Sequence, residues 1–234
     1  MIKKNTIAAI VPAAGVGSRM QLNFPKQYLK ILNRTILEHT VAKLTSVSEL
    51  SHLVIAIGSE DPIFPTLSFS DNRIQSCIGG NTRAHSVFNA MCELQRHQPD
   101  WVLVHDAARP LVLKDDIEQL IASTKNEIAG GILASKVKDT IKQGEDYVEH
   151  TVPRDSLWSA LTPQLFRFDV LFEALQEGLE QCPHAITDEA SAIERKGLPV
   201  KLVAGRSDNI KITTPEDFEL AQFILMNQLN KVLQ

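Results

Sequence analysis

The sequence predicts an α/β fold: a Rossmann-like, mostly parallel sheet with helices on both faces and a protruding β-hairpin arm. Short apolar runs recur along the chain, which is typical of strands buried on both faces. Amphipathic helical patterns lie between these runs. Two further strand-like stretches are separated only by Gly144-Glu145-Asp146. We therefore expect residues 1–234 to form one domain, from which residues 138–155 project as the arm.

The predicted elements alternate along the chain as such a sheet requires. Strands are predicted at residues 7–11, 28–32, 53–57, 74–78, 101–104, 129–134 and 200–204. Helices are predicted near residues 36–44, 81–87, 117–121, 170–179 and 188–197, and after residue 214. Capping residues mark three helix starts, at Asn81, at either Thr187 or Asp188, and at Thr214 before Pro215.

Composition excludes several classes of protein. The chain has 234 residues, 44% of them hydrophobic and 22% charged, with a net charge of −4. This charge argues against a protein that coats nucleic acid, and no apolar segment reaches the length of a membrane span. Three well-separated cysteines indicate neither a disulfide framework nor a zinc site, so we expect a cytoplasmic protein.

The turn after the first strand is a candidate phosphate-binding loop. It reads Ala13-Ala14-Gly15-Val16-Gly17-Ser18-Arg19-Met20, and Pro25-Lys26-Gln27 follows. Gly15 and Gly17 can adopt positive φ and direct backbone N–H groups at phosphate oxygens, while Arg19 and Lys26 supply positive charge. Met20 excludes the dinucleotide fingerprint, and the P-loop triplet is absent. The alternative is a plain flexible loop with exposed cations.

Three later segments are candidates for the same site. Gly79-Gly80-Asn81 leads from a strand into a helix, either as a nucleotide contact or as a simple turn. Asp106 ends the strand at residues 101–104, where a carboxylate either holds Mg²⁺ or caps a turn. Lys211 alternates with two isoleucines, so it is either a ligand for an anion or an exposed strand lysine.

Together these motifs resemble those of nucleotidyltransferases, and above all the 2-C-methyl-D-erythritol 4-phosphate cytidylyltransferase family. The resemblance covers about residues 7–220 and includes His105-Asp106-Ala107-Ala108-Arg109-Pro110 and Asn209-Ile210-Lys211. It implies a single nucleotidyltransferase domain that joins CTP to methylerythritol phosphate, with Mg²⁺ or another divalent cation as cofactor. It also implies a homodimer locked by the arm at residues 138–155.

The resemblance implies a role for each candidate residue. It implies that Arg19, Lys26 and Lys211 stabilise the charge of the transition state and that Asp106 binds the metal ion. It places the nucleotide on Ala13, Ala14, Gly15, Gly80, Asn81, Ser86, Asp106 and Ala107. It places the methylerythritol phosphate on Arg109, Thr140, Arg154, Thr162 and Thr187. From the residues alone, Arg109 is either a phosphate ligand or a surface charge, and Thr187 is equally well a helix cap.

Three other functions stay open at this level. The first is a cytidylyltransferase for another polyol phosphate, such as ribitol 5-phosphate. A sugar-nucleotide pyrophosphorylase shares the first loop but not the segment around Asp106. A non-catalytic nucleotide-binding protein is the third, and the joint presence of Arg19, Lys26, Asp106 and Lys211 argues against it.

Overall fold

The computed structural model describes residues 6–15 and 24–232. Its strands are β1 (Ile7–Pro12), β2 (Lys30–Ile31), β3 (Arg34–Thr35), β4 (Leu50–Ile57), β5 (Ile74–Ile78), β6 (Trp101–Val104), β7 (Gly130–Lys136), β8 (Ile141–Gly144), β9 (Val148–Val152), β10 (Trp158–Arg167) and β11 (Lys201–Ala204). Its helices are α1 (Ile36–Thr45), α2 (Arg83–Leu94), α3 (Lys114–Thr124), α4 (Phe168–Gln181), α5 (Glu189–Arg195) and α6 (Pro215–Val232).

The central sheet has seven strands in the order β11-β7-β10-β6-β1-β4-β5. All neighbouring strands pair in parallel except those beside β10, which is antiparallel to both β6 and β7. The predicted Rossmann-like, mostly parallel sheet is therefore confirmed. The sequence predicts no strand at β10, because Pro163 interrupts it and its residues show neither a plain apolar run nor strict alternation.

Helices cover both faces of the sheet, as predicted. Along β1, Ala9 and Val11 pack on one face with α1 and α3, while Ala8 and Ile10 pack on the other with α2, α4 and α5. This alternation follows from the two-residue period of a strand, and full burial explains why β1 is apolar throughout. Helix α6 closes a third, smaller cluster that includes Ile212 in the preceding loop.

Two predicted helix starts are confirmed and one is wrong. Asp188 caps α5 by accepting a hydrogen bond from the Ser191 N–H at 2.9 Å, and Thr214 accepts one from Asp217 N–H at 3.3 Å. Helix α2 is capped by Thr82 and not by Asn81, since the Thr82 hydroxyl accepts from His85 N–H. The chain turns one residue later than predicted, which leaves Asn81 exposed.

The predicted hairpin forms a separate two-stranded sheet from β8 and β9. Tyr147 and Val148, at and beside its turn, are 88% and 62% exposed. Its use as a dimerisation arm stays a prediction, as does the division of the chain into domains. Within the part of the chain that the structure describes, no helix combines the length and apolar character needed to cross a bilayer.

Candidate active site

A pocket of about 370 Å³ opens where β1 and β6 end, beside the first turn of α2. Open α/β sheets bind ligands at this carboxyl edge, because the strand ends and helix N-termini converge there. Among the described residues, five separate segments of the chain form the walls. They bring together ten of the predicted residues: Ala13, Ala14, Gly15, Lys26, Gly80, Asn81, Ser86, Asp106, Ala107 and Lys211.

Gln27 ties the two halves of the opening motif to each other. Its buried amide donates hydrogen bonds to the carbonyls of Ala13 at 2.6 Å and Gly15 at 3.3 Å. These bonds hold Lys26 at the pocket wall. Gly15 does not use positive φ, contrary to the prediction; among the described residues, no atom beyond its chain neighbours lies within 4 Å of a Cβ placed on it. Arg19 and Gly17 lie outside the described residues.

The turn before α2 contains two glycines at points where other parts of the chain pack closely against its backbone. A Cβ at Gly79 would lie 2.6 Å from that of Ala14, and one at Gly80 would lie 2.4 Å from that of His85. Gly79 therefore lets this turn pack against the opening turn at Ala14, and Gly80 lets it fold onto the first turn of α2 at His85. Ser86 is buried and fixes the turn, since its hydroxyl accepts from Gly80 N–H at 3.0 Å and donates to Thr82 O at 2.9 Å.

Asp106 is surrounded by three cationic side chains from three different segments. Its Oδ1 accepts from Arg83 Nε at 2.8 Å, and its Oδ2 lies 2.9 Å from Lys211 Nζ and 3.5 Å from Arg109 Nε. Burial opposes ionisation of this carboxyl, but the positive charges of Arg83, Lys211 and Arg109 outweigh it. They hold the pKa of Asp106 well below its usual range, so the side chain is an anion at neutral pH.

Arg109 is not a surface charge. Its side chain is only 11% exposed, and its guanidinium donates to the Asn209 carbonyl at 2.7 Å. Asn209 belongs to the motif around Lys211, but the sequence assigned it no role of its own; its buried amide donates to the Thr162 carbonyl at 2.8 Å. These bonds, with that from Ile212 N–H to Ala108 O, anchor the loop that carries Lys211 beside Asp106.

A buried hydrogen-bond chain holds the backbone of Asp106 in place. Asp106 N–H donates to the Thr162 hydroxyl at 3.1 Å, and that hydroxyl lies 2.9 Å from His105 Nδ1. His105 Nε2 lies 3.0 Å from the Arg109 carbonyl, which only accepts, so Nε2 carries the proton and Nδ1 accepts from Thr162. His105 is thus a packed, neutral histidine, and Thr162 is a structural partner of Asp106 within its own chain.

The neutral state of His105 predicts a pH-dependent stability. Burial lowers its pKa to about 4, from an unfolded value of about 6.5, so below pH 6.5 the unfolded state binds more protons than the folded state. The contribution is complete above pH 6.5 and falls as the pH drops towards 4. We expect His105 to cost about 2 kcal/mol of unfolding free energy between pH 7.5 and pH 5. Urea titrations of wild type and His105→Gln measure it; equal pH slopes would refute it.

Glu189 is a second residue whose role the sequence did not predict. It is 1% exposed and accepts two hydrogen bonds from Arg83, at 2.7 and 3.0 Å, in a bidentate pair. Arg83 therefore lies between Glu189 and Asp106. The sequence signal was the acid directly after the Asp188 cap, but such an acid is ordinary in the first turn of a helix.

Five of the predicted residues that the structure describes do not line the pocket. Arg109 and Thr162 instead lie beside Asp106, as described above. Thr140 and Arg154 are exposed near the base of the hairpin, where Arg154 donates to the Lys138 carbonyl. Thr187 is exposed beside the α5 cap, and its backbone N–H donates to the Ser191 hydroxyl at 3.0 Å. Their predicted contacts with the polyol phosphate, and that of Thr162, stay predictions.

Comparison with known proteins gives one consistent family. A family model described as 2-C-methyl-D-erythritol 4-phosphate cytidylyltransferase matches residues 7–227. Proteins of that name from Pseudoalteromonas translucida and Vibrio atlanticus are 58% and 52% identical to this chain, covering 99% and 94% of it and 95% of their own lengths. The crystal structure of the Francisella tularensis protein of that name has a TM-score of 0.82 at 38% identity, over 94% of this chain and 100% of its own.

Proposed function

The chain belongs to the 2-C-methyl-D-erythritol 4-phosphate cytidylyltransferase family, and from this premise we propose how its pocket performs the family's reaction. That reaction joins CTP and 2-C-methyl-D-erythritol 4-phosphate, gives 4-diphosphocytidyl-2-C-methyl-D-erythritol and pyrophosphate, and serves non-mevalonate isoprenoid biosynthesis. The chain is therefore a nucleotidyltransferase.

The observation that carries the proposal is the convergence of positive charge at the pocket. Lys26, Arg83, Arg109 and Lys211 come from four segments. Among the described residues, two buried carboxylates, Asp106 and Glu189, pair with the three cations Arg83, Arg109 and Lys211. An excess of cations over anions in a concave site is suited to a triphosphate, which needs neutralisation and fixed donors. We propose that Lys26 and Lys211, together with Arg19 from the first motif, stabilise the negative charge on the phosphate oxygens in the transition state.

We propose direct in-line transfer without a covalent enzyme intermediate. A phosphate oxygen of the methylerythritol phosphate attacks the α-phosphorus of CTP, the bond to the β-phosphate oxygen breaks, and pyrophosphate leaves with that electron pair. Such chemistry depends on positioning and charge stabilisation rather than on a nucleophilic side chain. His105 fits this scheme, because both of its ring nitrogens form hydrogen bonds within the protein and neither is available as a nucleophile or base.

For the nucleotide, we propose that the cytosine and ribose lie between the two backbone turns of the pocket. Backbone groups of residues 13–15 and 80–81 line this side, and small side chains there leave the peptide edges accessible. Ala107 borders the same space. Backbone N–H and C=O groups distinguish the edge of cytosine from that of other bases by hydrogen-bond polarity. The contacts of Asn81 and Ser86 with the nucleotide belong to this proposal.

The residues present fit a magnesium ion held together with the substrate. The Asp106 carboxylate lines the pocket, and each of its oxygens keeps acceptor capacity beyond its present cationic partners. Within the described residues, no cluster of three His, Cys, Asp or Glu side chains could hold a metal by itself. This suits Mg²⁺, which binds one or two carboxylates plus phosphates and water. When bound, the ion neutralises charge on the triphosphate oxygens.

We propose that the acceptor site is completed by a second copy of the chain. The hairpin of β8 and β9 presents exposed Tyr147 and Val148, and a lone two-stranded sheet gains stability by packing on a partner. Thr140, Arg154 and Thr162 would then contact the methylerythritol phosphate, Thr162 across the interface. Thr187 would lie beside the polyol, near Arg109. A solution mass of twice 26.0 kDa is expected. A cytoplasmic location is proposed from the cysteine pattern.

A pyrophosphate-release assay tests the function and its metal. CTP, UTP and ATP are each combined with methylerythritol phosphate or ribitol 5-phosphate, with Mg²⁺ or with excess chelator. We expect turnover only with CTP and methylerythritol phosphate, abolished by the chelator and restored by Mg²⁺. Preferred turnover of ribitol 5-phosphate would replace the acceptor assignment, and full activity in chelator would refute the metal assignment.

A further inference from the structure

Arg83 lies between two carboxylates that have different access to the pocket. Its Nε donates to Asp106, whereas its two terminal nitrogens donate to Glu189. Arg83 lines the pocket and its side chain is 25% exposed, while Glu189 is 1% exposed and lies behind it. The outer face of the guanidinium is therefore within reach of a bound triphosphate, and its inner edge is held by Glu189.

Glu189 is itself rigidly mounted. It is the first residue of α5, whose cap Asp188 accepts a hydrogen bond from the Gln164 amide at 2.8 Å. The same Gln164 side chain accepts from Ala190 N–H at 3.0 Å, and Gln164 is 1% exposed. Gln164 lies on β10, two residues after Thr162, which supports the Asp106 backbone. Strand β10 thus carries both Thr162, which binds the Asp106 backbone, and Gln164, which fixes the start of the helix that carries Glu189.

We propose that Glu189 is a positioning residue that acts through Arg83. By binding both terminal nitrogens of Arg83, Glu189 keeps this arginine directed at Asp106 and prevents it from pairing with the triphosphate of CTP. The inference rests on the proposed nucleotide site, and it adds a residue 106 positions away in sequence from the arginine that it controls.

The expected consequence is a particular kinetic signature. Without the charge of Glu189, Arg83 is an uncompensated cation facing an anionic ligand, and phosphate oxygens become its best partners. CTP then gains a contact in the ground state, while Asp106 loses the donor that orients Oδ1. Since ground-state binding that is not increased in the transition state does not raise kcat, CTP is held at least as tightly but reacts more slowly.

Glu189→Gln tests the proposal, because glutamine keeps the size of the side chain and removes its charge. We expect kcat to fall about tenfold or more, the KM for CTP to stay equal or fall, and inhibition by pyrophosphate to become stronger. Glu194→Gln is the matched control, since Glu194 is exposed on the same helix. Turnover by wild type and by this control shows that the proposed function itself holds, whatever Glu189→Gln does.

Two results would overturn the proposal: unchanged kinetics in Glu189→Gln, or a fall in kcat accompanied by a higher KM for CTP.

A second measurement compares Arg83→Met with the double variant Arg83→Met, Glu189→Gln. If Glu189 acts through Arg83, the double variant is no slower than Arg83→Met alone, whereas multiplied effects would contradict it. Should Glu189→Gln be recovered unfolded, Glu189→Asp replaces it. Aspartate keeps the charge but is too short to hold both terminal nitrogens of Arg83, so kcat should fall by less than about tenfold with no rise in the KM for CTP, and unchanged kinetics or a raised KM would contradict the proposal.

Discussion

Replacing Asp106 with asparagine should lower kcat at least about a hundredfold, which corresponds to roughly 3 kcal/mol of lost transition-state stabilisation. Asp106 is the anion around which Arg83, Lys211 and Arg109 are arranged. A neutral amide removes that anion and turns an NH₂ group towards cationic neighbours. The proposed Mg²⁺ ligand is lost as well, so the magnesium concentration for half-maximal activity should rise sharply. Steady-state kinetics across a magnesium titration measures both effects.

The control for this prediction is Asp115→Asn, which removes a carboxylate of the same size that is exposed on α3. It should leave both kcat and the magnesium titration unchanged. If Asp106→Asn gave a normal magnesium titration, Asp106 would not be the metal ligand. If its kcat were also near normal, the charge cluster would have no part in the reaction.

Lys211→Met should have the second large effect, with kcat again about a hundredfold lower and a smaller change in the KM for CTP. Methionine keeps an unbranched side chain of similar length but removes the ammonium group. Lys211 Nζ lies 2.9 Å from Asp106, and its side chain is 36% exposed, so it lies at the pocket surface and can exchange the carboxylate for a phosphate oxygen. Initial-rate kinetics with CTP varied at saturating methylerythritol phosphate separates kcat from KM.

Lys201→Met is the matched control for this substitution. Lys201 is 42% exposed on β11, just before the loop that carries Lys211, and pairs with Glu127 outside the pocket. It should retain wild-type kinetics. A large rise in the KM for CTP at normal kcat in Lys211→Met would assign Lys211 to substrate binding in place of transition-state stabilisation.

The two substitutions change the local charge in opposite directions. Asp106→Asn leaves an additional uncompensated cation, so pyrophosphate and CTP should bind at least as well as before. Lys211→Met removes a cation, so pyrophosphate inhibition should weaken. The comparison therefore distinguishes a site that needs net positive charge from one that needs this particular arrangement of partners.

Local sequence signals predicted most of the fold and the outline of the site. Apolar runs such as β1 and β6 are recognisable because a strand buried on both faces admits few polar residues. The turns after β1 and before α2 are recognisable because small residues are needed where backbone approaches a ligand or another backbone. Since parallel strands end at one edge of the sheet, these turns and Asp106 were expected to meet, and they do.

The sequence by itself thus determined the α/β class, the alternation of strands and helices, and most residues of the pocket wall. Only the tertiary structure decided that β10 lies antiparallel within the sheet, that Thr162 and His105 support Asp106, and that Glu189 holds Arg83. The physical reason is the distance along the sequence over which each kind of interaction acts. Periodicity and turn chemistry act over a few neighbouring residues, whereas a buried hydrogen bond depends on which distant segments the sheet places side by side.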